Sequence, residues 1–169
     1  MIDVWENKIT HYTEESPEQL LGSPYNWRRH SGLQQNAMVA LLEELGWIAP
    51  IICNSTTGHI VDGHMRVEVS LRHGIERLPV AWVTLSEEDE RKAILMFDPI
   101  TSMAGKDTEA LDSLIDEVTV TDDALVKMLE GLVRKEDTNS QETTLYGQEE
   151  DTREKSIECP HCHTWFTLY

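Results

Sequence analysis

The chain has 169 residues, of which 14 are basic and 31 acidic, giving a formal net charge of −17 at pH 7. Non-specific affinity for duplex DNA comes mainly from lysines and arginines that neutralise phosphates, so this balance excludes bulk attraction to DNA by the chain alone. No apolar run approaches the ~20 residues that cross a bilayer, and residues 1–6 lack a signal-peptide pattern. Three cysteines, two of them in one Cys-x-x-Cys, make no disulfide framework. A soluble protein of the reducing cytoplasm, with no membrane partner, is the expectation. The length suits one well-buried domain plus an appendage.

In chain order, Ser16-Pro17-Glu18-Gln19 predicts a short helix, with Ser16 as N-cap, Pro17 in the first position and Gln19 closing a capping box. Residues 24–30 read as irregular and bring two arginines and a histidine together. From 34 to 45, Ala37, Met38, Leu41, Leu42 and Leu45 fall on one helical face, and Gly46 stops the helix. Residues 48–53 read as a buried strand in which Cys53 is a small core residue. Ser55-Thr56-Thr57-Gly58 supplies a hairpin loop. Ile60 and Val61 form a short strand, Asp62-Gly63 a turn, and the next helix ends at Gly74. Residues 78–84 form another strand. Ser86 caps a helix with acids in its first turn, running through Lys92, Ile94, Leu95 and Phe97. Two amphipathic segments follow, 108–118 and 122–133, suited to a helical hairpin or a dimer contact. Residues 136–158 are polar and acidic, a linker composition.

Two stretches carry chemistry. At the Asp62-Gly63 turn, Gly63 lets the backbone approach a ligand. His64 and Arg66 sit in the first helical turn, where unpaired N–H groups and the dipole favour an anion, and a guanidinium adds a fork matched to phosphate. The same residues also read as an ordinary surface turn. In the tail, Cys159-Pro160-His161-Cys162-His163 presents two thiolates at zinc-knuckle spacing. His163, His161 or a second copy of the chain would complete four zinc ligands; a knuckle without metal is the alternative.

The order of the segments at 24–30, Gly46-Trp47-Ile48-Ala49-Pro50-Ile51-Ile52, Asp62-Gly63-His64-Met65-Arg66 and Gly74 to Leu78-Pro79-Val80 resembles the ParB N-terminal domain family, of the ParB/sulfiredoxin fold. The match covers residues 9–107. The resemblance implies an α/β (α+β) fold, a small mixed sheet flanked by helices and followed by a helical extension. It divides the chain into a ParB-like domain at 1–107, the extension at 108–134, an acidic linker at 135–157 and the knuckle-like tail at 158–169. It implies that Arg28, Arg29 and His30 lie against a ligand pocket with Gly63, His64 and Arg66. The ligand implied is a nucleoside triphosphate, CTP or ATP, with Mg at Asp62 or Asp98.

Two departures narrow this. ParB proteins carry Glu-Asn where this chain has Asp98-Pro99, and the turn lacks the sulfiredoxin thiol, which excludes that chemistry. In the first respect the chain is similar to ParB-like domains of phages and methyltransferase neighbourhoods. No helix-turn-helix reader with a basic second helix is present. Three functions follow as expectations. One is a nucleotide-binding ParB-like protein in DNA partition, packaging or modification, with nucleoside triphosphatase or nuclease activity in question. Another is a small-molecule kinase of the free-serine-kinase type, which shares the Asp-Gly-His-x-Arg turn and would use Asp62, Glu68 or Glu43 as base. The last is a non-catalytic acidic adaptor for a methyltransferase, terminase or other DNA-processing protein.

Overall fold

The computed structural model describes residues 5–139, 155–158 and 165–168. The chain forms two compact units, Met1–Gly131 and Leu132–Tyr169. The first is built on a four-stranded mixed sheet. β1 (Ile9–Glu15) pairs antiparallel with β4 (Leu78–Val83), which runs parallel to β2 (Ile51–Asn54), and β2 closes an antiparallel hairpin with β3 (Ile60–Asp62). The spatial order is β1-β4-β2-β3.

Period-two alternation places successive side chains on opposite faces of the sheet, and both faces are covered. On one side Ile51, Cys53, Ile60 and Val80 pack with Leu20, Leu78 and Val67 of α2 (His64–Arg72). On the other, Val61 and Val83 pack against Ile94 of α3 (Glu87–Ser102). A third cluster joins Ala37 and Ala40 of α1 (Gly32–Leu45) to Leu125, at the start of α5 (Asp123–Asn139). Each large aliphatic side chain fully buried this way contributes about 1.5–3 kcal/mol. Cys53 is completely buried; burial, then the charge of Glu15, pushes its thiol up to about 12. It is an inert core residue.

Several predicted elements shift. Ser16 makes no side-chain cap, and Pro17–Gln19 is one 3-10 turn that ends at the buried Leu20. The capping box forms instead at Ser31, whose Oγ accepts from the Gln34 amide while the Gln34 side chain accepts from the Ser31 amide. α1 therefore begins at Gly32. α3 continues beyond Phe97 through Asp98 and Pro99 to Ser102. Pro99 removes one backbone donor inside the helix. α4 (Thr108–Glu117) is capped by Asp107, and α5 continues to Asn139, beyond the last apolar position at Val133. In the second unit, β5 (Lys155–Glu158) and β6 (Trp165–Leu168) pair antiparallel, Glu158 opposite Trp165, so the composition-based linker ends in a strand. Cys159, Cys162 and His163 lie outside the described residues. Among those described, no helix is long and apolar enough to cross a membrane.

Candidate functional site

The strand-to-helix junction after β3 is the organising point of the first unit. Gly63 adopts φ +98°, a left-handed conformation that side-chain-bearing residues rarely take. α2 then starts at His64, and the amides of His64, Met65 and Arg66 have no intrahelical acceptor. Arg66 braces the turn from within: its Nη2 donates to Asp62 Oδ2 at 2.7 Å, and its Nη1 to the carbonyls of Ala49 at 2.7 Å and Pro50 at 3.1 Å. One guanidinium thus ties the β3–α2 turn to the entry of β2.

A cleft of about 330 Å³ opens beside this turn. One wall is apolar and comes from Met38, Leu41 and Leu42 of α1 with Ile48. The opposite wall is polar: Arg28, His30, the Asp62-to-Arg66 turn and Asp98 of α3. Its two arginines are both partnered. Arg28 Nε lies 2.9 Å from Asp98 Oδ2, and its Nη2 donates to the Ile94 carbonyl at 3.3 Å. Each cleft arginine thus has a carboxylate against it. What remains to attract an anion is the fixed array of first-turn amides and the histidines.

His64 has a defined role in that array. Its Nε2 accepts from the Ser23 amide at 3.2 Å, which leaves the proton on Nδ1. Burial lowers its pKa first; Asp62 opposes this, while Arg28 and His30 add to it. A neutral ring is favoured, because imidazolium cannot accept from Ser23. In an NMR titration the His64 ring should therefore show a midpoint below 6.5, its ordinary value. Stability should fall as acid protonates this ring in the unfolded chain but not in the folded one. A midpoint at or above 6.5 would refute the assignment.

The structure sorts the residues expected at the site. Gly63, His64, Arg66, Asp62, Arg28, His30 and Asp98 all line the cleft. Arg29 does not: residues 25–30 alternate in exposure, with Asn26, Arg28 and His30 turned to the cleft and Tyr25, Trp27 and Arg29 outward. Glu68 is also outside, exposed on α2, where it accepts from Gln35 Nε2 at 3.3 Å and lies 3.7 Å from Arg72. Glu43 lines a small hollow between α1 and α2 instead. Asp98 is held by Arg28, and no group of three or more metal-ligating side chains occurs among the described residues. Asn26 and the α1 wall were not anticipated; the stripe of Met38, Leu41 and Leu42 carried no sign of serving a cleft as well as a core.

A small mixed sheet with helices on both faces, and a cleft at the turn from its hairpin into a helix, defines the ParB N-terminal-like fold. A solved structure agrees. The C-terminally truncated chromosome-partitioning protein ParB from Caulobacter crescentus, complexed with CTP-γ-S, superposes with a TM-score of 0.50 at 20% identity, over 63% of this chain and 61% of that one. Two structures of a pNOB8-like ParB N-domain give TM-scores of 0.47 and 0.44, at 19% and 20% identity, over 96% and 97% of this chain and 59% and 56% of theirs. This chain thus spans about three fifths of each of these structures. No protein-family model matches it, and no curated protein does. The protein has a ParB N-terminal-like fold.

Proposed function

We propose that this protein is a ParB-like nucleotide-binding protein acting in nucleic-acid processing, with phosphates received at the Asp62-to-Arg66 turn. The observation that carries the reading is the two-sided cleft, whose α1 wall suits a flat base and whose α2 wall offers oriented amides and the Nδ1–H of His64. The neighbour crystallised with CTP-γ-S shares this fold and makes CTP the first nucleotide to test. Arg66 acts here as the brace that shapes the phosphate turn. Arg28 is the arginine an incoming phosphate would draw from Asp98.

Binding is favoured over phosphoryl transfer, because Asp62 Oδ2 is engaged by Arg66 and Glu68 points away from the cleft. Among the described residues no group of three or more ligating side chains is assembled, and no step is assigned to magnesium. The exposed apolar side chains of α3, Leu95, Met96, Phe97 and Ile100, with Met103 just after it, suit a second copy of the chain or a DNA-processing partner.

The test is thermal unfolding against CTP, ATP, GTP and UTP, with and without magnesium. A ligand bound only to the fold stabilises it by about 2.7 kcal/mol at a hundredfold excess over its Kd. Arg28→Ala should weaken binding about tenfold. Asp98→Asn should tighten it several-fold, because it removes a carboxylate that competes with the phosphate. If Asp98→Asn instead abolishes a magnesium-dependent shift, Asp98 is a metal ligand. If no nucleotide shifts the wild type, the acidic adaptor becomes the better description.

A further inference from the structure

The outward side of the segment from Tyr25 to Arg29 is absorbed by neither the cleft nor the core. It lies along α3. Arg91 Nη1 donates to the Tyr25 hydroxyl at 3.4 Å, and its guanidinium sits 5.5 Å from the Tyr25 ring centroid. Trp27 Nε1 donates to the Ile94 carbonyl at 3.4 Å, and the Arg28 guanidinium lies 5.2 Å from the Trp27 ring. Arg91 and Ile94 are three residues apart on the helix, about 4.5 Å of backbone rise. Both residues stay exposed, Tyr25 at 48% and Trp27 at 57%. Immediately after Ile94, α3 adds the exposed Leu95. Next to Trp27, Arg29 is exposed and has no hydrogen-bond or ion-pair partner among the described residues.

We propose that this surface is a stacking platform for single-stranded nucleic acid, with bases on Tyr25 and Trp27 and a backbone phosphate on Arg29. Aromatic rings polarised by guanidinium groups and left open to solvent are the means by which single strands are held without sequence readout. Every unpaired base has a π-face to offer, whereas a duplex hides its bases and presents dense charge. A chain of net charge −17 repels that charge and lacks the cations to release its counterions. The platform therefore selects flexible single strands over duplex, by contact more than by long-range attraction. Tyr25, Trp27 and Arg29 do not line the nucleotide cleft, so the two sites can be occupied together, with Arg28, which stands over Trp27, as the residue they share.

The experiment measures fluorescence anisotropy of a labelled oligothymidine of about a dozen nucleotides titrated with the full chain at low salt. The same length of duplex and a proline-rich peptide serve as comparison probes. Wild type should bind the single strand and prefer it to duplex by at least about tenfold. Trp27→Ala and Tyr25→Ala should each weaken binding about tenfold, and Arg29→Glu several-fold. Trp27→Phe, which keeps a ring but loses the bond to Ile94, should stay within about threefold of wild type. Circular dichroism of each variant separates a lost platform from a lost fold. Excess CTP should not displace the oligonucleotide. Displacement would assign the binding to the cleft and overturn the proposal. Equal binding of duplex, an unchanged Trp27→Ala, or capture of the peptide but not the oligonucleotide would overturn it too. The proposal survives a failure to bind mononucleotide, which would sink only the cleft reading.

Discussion

Gly63→Ala should destabilise the protein by about 2–5 kcal/mol and abolish nucleotide binding. Two costs add. A φ of +98° is unfavourable for any residue with a Cβ, by roughly 1–2 kcal/mol. The new methyl would also meet Ile51 Cδ1 at 2.7 Å, Arg66 Nη2 at 3.2 Å and Arg66 Cζ at 3.4 Å. A flexible side chain could yield at little cost, but these two cannot. Ile51 is completely buried in the sheet core, and the Arg66 guanidinium is fixed by Asp62, Ala49 and Pro50. Overpacking of this kind costs about 1–3 kcal/mol. The thermal midpoint should drop by roughly 10 °C for a unit of this size. The same methyl reorients the first amides of α2, so the nucleotide-induced shift should vanish even where the variant remains folded. Gly74→Ala is the control: Gly74 also has a positive φ, +65°, at the end of α2, but a Cβ there meets nothing within 4 Å. It should lose only the backbone part, about 1 kcal/mol. Equal losses at both positions would mean that packing around Gly63 contributes nothing.

The contrast between these glycines shows what the sequence makes legible. The β3–turn–α2 unit can be read directly, because apolar strand residues, an Asp-Gly pair and a helical apolar period lie within fifteen residues. Long-range partnerships cannot be read this way. Arg28, Arg29 and His30 look alike as a basic run, and only Asp98 and Ile94, nearly seventy residues later, turn Arg28 inward and leave Arg29 outside. Ser16-x-x-Gln19 and Ser31-x-x-Gln34 carry the same capping pattern. The second closes because a 14-residue helix follows it, whereas the first precedes a single turn that ends when Leu20 enters the core. β1 escapes notice for a related reason. It is an edge strand paired only with β4, so most of its side chains are exposed and no alternation marks a buried face. The polar run of β1, with its two glutamates, also protects that edge. Arg66 is recognisable as a site residue, but its work as a brace depends on carbonyls supplied by the preceding loop.

Glu90→Ala should be the most damaging single substitution of a charged residue among those described, at about 3–5 kcal/mol. Glu87, Glu88, Asp89 and Glu90 look interchangeable in the first turn of α3, but Glu90 alone is buried, at 1% exposure. Its Oε2 accepts from Asn54 Nδ2 at 2.7 Å and from the Thr57 hydroxyl, and its Oε1 lies 3.0 Å from His59 Nδ1. Asn54, itself completely buried, also bonds the Leu85 carbonyl and amide. Truncation would strand several polar groups of the β2–β3 hairpin. Glu90→Gln keeps the volume and one acceptor oxygen, and should cost only about 1–2 kcal/mol. Acid should reproduce part of the loss. Burial alone would raise the Glu90 pKa, but the bonds from Thr57, Asn54 and His59 outweigh it and hold the carboxyl below its ordinary 4.5. Because the folded value is the lower one, the stabilisation is complete above pH 4.5 and disappears as pH falls through that folded value. Urea unfolding of wild type and Glu90→Gln over roughly pH 3–7 should show a constant gap above pH 5 that closes on acidification. A gap that persists in acid would mean the buried carboxyl is uncharged. The effect also reaches the cleft. Asp98 lies two turns beyond Glu90 on α3, about 12 Å along the axis, so the same buried anchor that fixes the hairpin sets where Asp98 meets Arg28. Nucleotide affinity should therefore fall in Glu90→Ala and hold in Glu90→Gln.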